Sequence, residues 1–240
     1  MDEWMSKIGI ILTKISDVVF PPKCAGCGEI AGKIICDACF DQIKRRAMWR
    51  CHKCAAPPYL CRCKRIGYIG ELVFPYFYDG DKLKFAIFKL KRANLYYINE
   101  FFAKSMYNSV LNGDKINLEE IDFFTCVPRV RKSLTIYGYN HAENLARLIA
   151  KYSEAEFKRT LKCKRFAGLQ REQKTLARNE RAENVSGKFA IHENTDIIGK
   201  NIILVDDVAT SGATLSECAK MLKEAGANRI YALCAASTLG

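Results

Sequence analysis

Two patterns of hydrophobic positions alternate along the chain from residue 72 onward. In one group of segments apolar residues recur at helical spacing, which predicts amphipathic helices over 81–92, 96–111, 138–152 and 215–225. Between them lie short, mostly apolar runs, which predict buried strands at 73–78, 122–127, 202–205 and 229–236. This alternation predicts an α/β fold, with a doubly wound, mainly parallel sheet and right-handed crossovers.

The N-terminal segment 1–22 forms a separate pattern, in which Trp4, Ile8 and Ile15 lie at helical spacing. It predicts an amphipathic helix that ends at Pro21. Mixed charges favour packing on the body of the protein over a membrane-surface role. The charges also interrupt any signal peptide, and the apolar run is too short to span a bilayer. We therefore expect a cytoplasmic protein without an integral membrane span, with peripheral contact at the inner face of the membrane as an alternative.

Eight of the 12 cysteines lie in four close pairs between residues 24 and 63. Thiolates this close together can bind one tetrahedral Zn²⁺, and two such pairs complete a closed structural site. In a reducing compartment this interpretation takes precedence over disulfides. Two zinc sites are therefore predicted, with sequential or interleaved pairing and with His52 as a bystander. The metal ligands are Cys24, Cys27, Cys36, Cys39, Cys51, Cys54, Cys61 and Cys63.

Basic residues surround these cysteines in a chain whose formal net charge is +12. Such an excess is compatible with a polyanionic partner. Trp49 and Tyr59 lie among the cations, and cations beside exposed rings suit single-stranded nucleic acid. A solvated basic surface is the competing interpretation. The candidate nucleic-acid residues are Arg45, Arg46, Arg50, Lys64 and Arg65.

The most informative stretch follows the apolar run 202–205. Asp206 and Asp207 come first, and a loop of small and hydroxyl residues then runs from Thr210 to Thr214 around Gly212. Ligands of a parallel sheet bind at the carboxyl ends of its strands. There the N-terminus of the next helix attracts phosphate, while two carboxylates can accept hydrogen bonds from ribose hydroxyls or hold a divalent metal. A sugar phosphate fits both halves of the stretch.

This stretch resembles the signature of type I phosphoribosyltransferases, which bind phosphoribosyl pyrophosphate. Together with the cysteine pairs, further motifs over roughly 20–238 resemble the ComF (ComFC) family. That family joins a zinc-binding region to a phosphoribosyltransferase-like domain and is associated with natural competence. The motifs are Val127-Pro128, Gly138-Tyr139-Asn140, Ala142 to Ala146, Gln173 to Phe189 and Asp206 to Thr214.

The resemblance implies a type I phosphoribosyltransferase-like sheet preceded by a small cysteine-rich zinc module. It divides the chain into an N-terminal amphipathic helix (1–22), a double four-cysteine zinc module (23–68) and a phosphoribosyltransferase-like domain (69–240). The implied cofactors are structural zinc at two sites and Mg²⁺ that accompanies phosphoribosyl pyrophosphate.

The resemblance also assigns roles to individual residues, with Asp206 and Asp207 as the implied catalytic pair. The chain departs from the family pattern at Tyr137 and His141, where arginine and glutamine are usual, and this favours binding over transfer. The implied phosphoribosyl pyrophosphate ligands are Asp206, Asp207, Val208, Ala209, Thr210, Ser211, Gly212, Ala213 and Thr214. The implied pyrophosphate side comprises Pro128, Arg129, Arg131, Lys132 and Arg181.

Three functions are compatible with the resemblance. The expected one is a competence protein that binds phosphoribosyl pyrophosphate and single-stranded DNA and assists DNA uptake together with other DNA-uptake proteins. The second is an active, amidophosphoribosyltransferase-like enzyme with an unknown acceptor. The third is a regulator whose nucleic-acid binding responds to phosphoribosyl pyrophosphate. Neither the acceptor nor the oligomeric state follows from the sequence.

Overall fold

The structure is a computed structural model that describes residues 23–43, 66–92, 95–113, 115–129, 138–164 and 187–238. The predicted helix in 1–22 lies outside these residues. The helices are α1 (Asp37–Asp41), α2 (Asp81–Arg92), α3 (Tyr96–Leu111), α4 (His141–Tyr152) and α5 (Ala213–Glu224), with a 3-10 turn at Leu118–Glu120. The strands are β1 (Leu72–Val73), β2 (Tyr76–Phe77), β3 (Phe123–Cys126), β4 (Glu156–Phe157), β5 (Leu161–Cys163), β6 (Phe189–Ile191), β7 (Asn201–Ala209) and β8 (Arg229–Ser237).

A parallel sheet in the order β1-β8-β7-β3-β4 forms the centre of the fold. Strand β2 also pairs with β8, in the same register as β1: Leu72 lies opposite Ala232 and Tyr76 opposite Ala236. The predicted strand 73–78 is therefore a single strand with a break at Pro75. Proline has no N–H with which to continue the ladder.

Helices cover both faces of this sheet, as predicted for a doubly wound fold. Ile203 and Val205 of β7 lie in the core formed with α2, α3 and α4. Ile202 and Leu204 lie in the opposite core, which α5 and the antiparallel strand pair β5–β6 complete. A strand buried on both faces reads as a continuous apolar run, which explains the sequence of β7.

The chain leaves the two central strands in opposite directions. From β3 it crosses through α4 to β4 at one edge, and from β7 it crosses through α5 to β8 on the other side. The carboxyl ends of β3 and β7 therefore flank a topological switch point, where open α/β sheets bind their ligands.

Two helices begin at places that the apolar spacing did not mark. Helix α4 starts at His141 rather than at residue 138, because Gly138 has a φ of 74° and Asn140 accepts a hydrogen bond from the Ala142 N–H (3.2 Å) as the N-cap. Helix α5 starts at Ala213, directly after Gly212, whose φ is 77°.

The N-terminal cysteine segment packs on the same core as α2, α3 and α4. Cys24 and Cys39 are buried in that core. The Lys89 ammonium group of α2 donates a hydrogen bond to the Cys24 carbonyl oxygen (3.0 Å). Among the described residues, no helix has both the length and the apolar character needed to cross a membrane.

Candidate functional site

Strand β7 is longer than its apolar run, and it carries both aspartates of the motif. It continues to Ala209, so Asp206 and Asp207 lie within the strand rather than after it. Strand β8 supports this extension: the Ser237 hydroxyl donates to the Ala209 carbonyl (3.0 Å), and the Thr238 hydroxyl donates to the Thr210 carbonyl (2.9 Å). The loop to α5 is therefore short, and its start is fixed by these two hydrogen bonds.

The loop presents its polar groups at the N-terminus of α5. Thr210 and Ser211 are exposed, and the Ser211 hydroxyl accepts a hydrogen bond from the Ala213 N–H (3.4 Å). Gly212 has a left-handed backbone, which lets the chain turn directly into the helix. The first N–H groups of a helix have no partner within the helix and carry a partial positive charge. This geometry suits a phosphate.

Asp207 faces α2 and α4 and is buried. Its Oδ2 accepts a hydrogen bond from Nε2 of His141, the first residue of α4. Its Oδ1 lies 3.1 Å from the ammonium group of Lys91, near the end of α2. Burial by itself raises the pKa of Asp207, but the His141 hydrogen bond and the Lys91 charge outweigh it and hold the pKa below its ordinary value. The buried carboxylate is therefore ionised.

His141 also joins Asp207 to the residue that follows β3. Nη1 of Arg129 lies 2.7 Å from Nδ1 of His141. A guanidinium group only donates hydrogen bonds, so Nδ1 must be the acceptor and Nε2 must carry the proton. Arg129, His141 and Asp207 thus form one hydrogen-bonded chain across the switch point.

Asp206 has a different environment from its neighbour. It is half-buried, and its Oδ1 accepts a hydrogen bond from the Asp207 N–H (2.8 Å). Burial and the adjacent Asp207 charge raise the pKa of Asp206 to about 8. The two carboxyl groups of the motif therefore differ near neutral pH: Asp207 is charged, while Asp206 is largely protonated.

The end of β3 is tied to the start of α4. The Asn140 side chain donates to the Val127 carbonyl (3.1 Å) and also caps α4. This places Pro128 and Arg129, two of the residues predicted for the pyrophosphate side, at the sheet edge that carries Asp206 and Asp207. The other three, Arg131, Lys132 and Arg181, lie outside the described residues.

Lys91 and His141 are the site residues that sequence reasoning did not predict. Lys91 gives no local signal, because it is one of several basic residues at the end of α2. His141 stood out only as a departure from the family pattern. A neutral imidazole offers one donor and one acceptor, as a carboxamide does, and this makes it suitable for a position between Arg129 and Asp207.

A second site lies in the N-terminal segment. Among the described residues, the sulfur atoms of four cysteines lie within 4.8 Å of one another, and Sγ of Cys27 and Sγ of Cys36 are 4.0 Å apart. Tetrahedral zinc with bonds of about 2.3 Å places its sulfur ligands about 3.8 Å apart, so the group fits zinc. The four are those of the sequential pairing: Cys24, Cys27, Cys36 and Cys39.

Backbone groups around this cluster also suit a metal site. The N–H groups of Gly26 and Cys36 each lie 3.3 Å from the Cys24 sulfur. Although burial opposes it, backbone hydrogen bonds from Cys36, Cys27 and Gly26 lower the pKa of Cys24 to about 6. Burial and the neighbouring thiols raise the pKa of Cys39 to about 12. A bound zinc ion keeps all four as thiolates.

Nine predicted residues of the zinc module lie outside the described residues, so the second zinc site and the basic surface stay predictions. The cysteines are Cys51, Cys54, Cys61 and Cys63. The basic residues are Arg45, Arg46, Arg50, Lys64 and Arg65.

Comparison with known proteins identifies relatives of both parts. Residues 139–238 match the phosphoribosyl transferase domain family, and residues 15–68 match the double zinc ribbon domain family. Competence protein F of Haemophilus influenzae is 24% identical over an alignment 222 residues long, and the alignment covers 86% of this chain and 92% of that protein.

The solved structures to which the chain shows similarity include a purine phosphoribosyltransferase and an amidotransferase. The purine phosphoribosyltransferase from Pyrococcus horikoshii Ot3 is 16% identical with a TM-score of 0.32, over 56% of this chain and 68% of that one. The glutamine phosphoribosylpyrophosphate amidotransferase from B. subtilis is 17% identical with a TM-score of 0.39, over 61% of this chain. The match spans only 30% of the amidotransferase.

Proposed function

Since the chain is a ComF-like protein, in which a zinc-ribbon module precedes a phosphoribosyltransferase domain, we propose that it binds phosphoribosyl pyrophosphate at the carboxyl ends of β3 and β7. The observation that carries this proposal is the meeting of three features at the switch point. These are the exposed loop at the N-terminus of α5, the aspartate pair of β7 and the Arg129 guanidinium after β3.

Each part of the ligand has a matching part of the site. Thr210 to Thr214 would receive the 5-phosphate, because helix N–H groups and hydroxyls converge there. Asp206, half-buried at the same edge, would accept hydrogen bonds from the ribose hydroxyls. Pro128 and Arg129 would face the pyrophosphate, whose charge Mg²⁺ partly neutralises. Asp207 would support the site indirectly, because its carboxylate holds Lys91 and His141 in place.

The proposed cellular role is supported by Competence protein F, which is similar to this protein over most of the chain. We propose that the protein binds single-stranded DNA and assists DNA uptake from the cytoplasmic side of the membrane. The formal net charge of +12 supports a polyanionic partner. Two structural zinc ions would hold the N-terminal module, since a segment this small has little core of its own.

A second candidate is phosphoribosyl transfer to an acceptor. It is favoured by Asp206, because a carboxyl group with a pKa of about 8 can exchange a proton near neutral pH. Release of pyrophosphate in the presence of candidate acceptors would establish it. Absence of turnover for every acceptor, together with tight binding of phosphoribosyl pyrophosphate, would leave binding as the function.

Calorimetric titration of the zinc-loaded protein with phosphoribosyl pyrophosphate and Mg²⁺ tests the binding proposal. We expect Asp206→Ala and Thr214→Ala to weaken binding about 10-fold or more, since each removes a polar group from the proposed ligand contacts. Lys220→Ala is the matched control, because Lys220 lies on α5 and pairs with Glu224 away from the loop. A failure of the unaltered protein to bind would overturn the proposal.

A further inference from the structure

Helix α2 exposes two phenylalanines that its own packing does not need. Phe85 and Phe88 are 45% and 47% exposed, whereas phenylalanine side chains are usually buried. The opposite side of the helix fills the core with Leu83, Ala86, Ile87 and Leu90, all buried. We call Lys84, Phe85, Phe88, Lys89 and Arg92 the α2 stripe.

The two rings and the neighbouring cations are ordered with respect to each other. The ring planes of Phe85 and Phe88 are 8° from parallel, with centroids 6.3 Å apart. The Lys89 ammonium lies 4.9 Å from the centroid of Phe85, and the Arg92 guanidinium lies 4.5 Å from that of Phe88. Cations at this distance interact with the ring face. The stripe therefore presents aligned rings next to fixed positive charge.

Charge decides what kind of partner fits the stripe. Over its length α2 carries a single acidic residue, Asp81, at its start, against five basic residues. A partner that makes only apolar contacts would leave this excess of positive charge without a counter-charge. A polyanion with flat apolar groups matches both the rings and the cations. The five basic residues are Lys82, Lys84, Lys89, Lys91 and Arg92.

Helix α2 contacts both of the other sites. Through Lys89, α2 contacts the cysteine segment at the Cys24 carbonyl, and through Lys91 it contacts Asp207 at the edge of the sheet. The stripe therefore belongs to a helix that contacts both the cysteine segment and the proposed phosphoribosyl pyrophosphate site.

We propose that the α2 stripe is a stacking platform for single-stranded nucleic acid, with bases on Phe85 and Phe88 and backbone phosphates on Lys84 and Arg92. The proposal rests on the proposed function and names a surface for it. The α2 stripe is separate from the basic residues predicted to bind nucleic acid in the zinc module, because those residues lie in another segment of the chain.

The test measures binding of a fluorescent oligothymidylate of about 20 nucleotides, longer than one such binding site, by anisotropy. We expect Phe85→Ala/Phe88→Ala to weaken binding about 10-fold or more, because each lost stack costs about 5-fold to 150-fold. The control Leu111→Ala/Ile198→Ala removes two exposed apolar side chains from other parts of the surface and is expected to bind normally.

Salt dependence separates the rings from the charges. Lys84→Ala/Arg92→Ala is expected to reduce the slope of log affinity against log salt by about 1.4, since each phosphate contact on a single strand contributes about 0.7. The phenylalanine variant is expected to keep the slope of the unaltered protein. A 2-aminopurine base in the oligonucleotide reports stacking directly, and its quenching is expected to decrease in the phenylalanine variant alone.

The possible failures are distinct. If the unaltered protein binds the oligonucleotide and the phenylalanine variant binds it equally well, the stripe proposal is overturned while the nucleic-acid function stands. If the unaltered protein does not bind the oligonucleotide, the nucleic-acid function fails and the stripe proposal fails with it. If the phenylalanine variant loses binding to phosphatidylglycerol vesicles and keeps its binding to the oligonucleotide, the face docks on lipid and the proposal is overturned.

Discussion

Arg129 donates a hydrogen bond to Nδ1 of His141 over 2.7 Å, and this contact determines which ring nitrogen carries the proton. With Nδ1 as the acceptor, Nε2–H faces the buried carboxylate of Asp207. The imidazole thereby links Asp207 in β7 to Arg129 after β3 through two hydrogen bonds. A residue in this place needs one donor and one acceptor, and this requirement leads to the first prediction.

Two replacements of His141 distinguish the contribution of its hydrogen bonds to stability from the contribution of its size. We expect His141→Gln to keep the stability of the unaltered protein within about 1 kcal/mol, because a carboxamide supplies both a donor and an acceptor. His141→Leu is expected to lower the free energy of unfolding by about 1–3 kcal/mol, because Asp207 and Arg129 then lack a partner. Urea denaturation measures both. Equal losses in the two variants, or nitrogen NMR that places the proton on Nδ1, would contradict this account.

Stability should fall with rising pH because of Asp206. The pKa of this group is raised to about 8 in the folded protein, above its ordinary value of 3.8. The folded state then holds a proton that the unfolded chain has lost, so the stability contributed by Asp206 is present below its unfolded pKa and declines as pH rises through about 8. Asp206→Asn is expected to lack this decline. Denaturation of both proteins between pH ~6 and ~9 measures it, and parallel curves would refute the assignment.

Gly212 should matter for ligand binding more than for folding. Its φ is 77°, so Gly212→Ala is expected to cost about 1–2 kcal/mol of stability and to distort the loop before α5. Gly199→Ala is the matched control, because Gly199 has a φ of 72° with open space around it and lies at the other end of β7. We expect similar thermal shifts in both variants but loss of phosphoribosyl pyrophosphate binding only in Gly212→Ala. Unchanged calorimetric affinity in that variant would place the phosphate elsewhere.

The zinc cluster depends on a close approach at Gly26. A Cβ atom there would lie 3.1 Å from Cβ and 3.2 Å from Sγ of Cys39, closer than ordinary contacts. We expect Gly26→Ala to weaken zinc binding about 10-fold, comparable to the loss of an outer-shell contact. Gly32→Ala should bind zinc normally, since a Cβ at Gly32 meets nothing within 4 Å. Competition with a chelator measures both affinities, and a Gly26→Ala variant with normal affinity would count against this geometry.

Removal of one ligand tests the stoichiometry. Cys36→Ser is expected to reduce the zinc content by one ion per chain, because a closed site needs all four thiolates. Cys163→Ser is the control, since Cys163 lies at the end of β5 and its thiol contacts the Pro128 carbonyl. Zinc analysis of the purified proteins decides the matter. Two ions in the unaltered protein would confirm the second site predicted at Cys51 to Cys63.

Much of this protein follows from its sequence, because the signals are local. The bounds of α2 and α3 agree with the predicted 81–92 and 96–111, since the spacing of buried residues within one helix is a property of that segment alone. The cysteine pairs are local in the same way. The acidic pair and the hydroxyl loop after the apolar run predict a ligand site at the carboxyl end of β7, and that site stays a prediction.

Only the tertiary structure decided the relationships between distant segments. The extension of β7 through the aspartate pair depends on pairing with β8, and the break at Pro75 divides a predicted strand. The chain from Arg129 through His141 to Asp207, with Lys91 on the second carboxylate oxygen, joins β3, α4, β7 and α2. Such contacts depend on strand order and helix packing, which bring together residues with no periodic or motif relationship in the sequence.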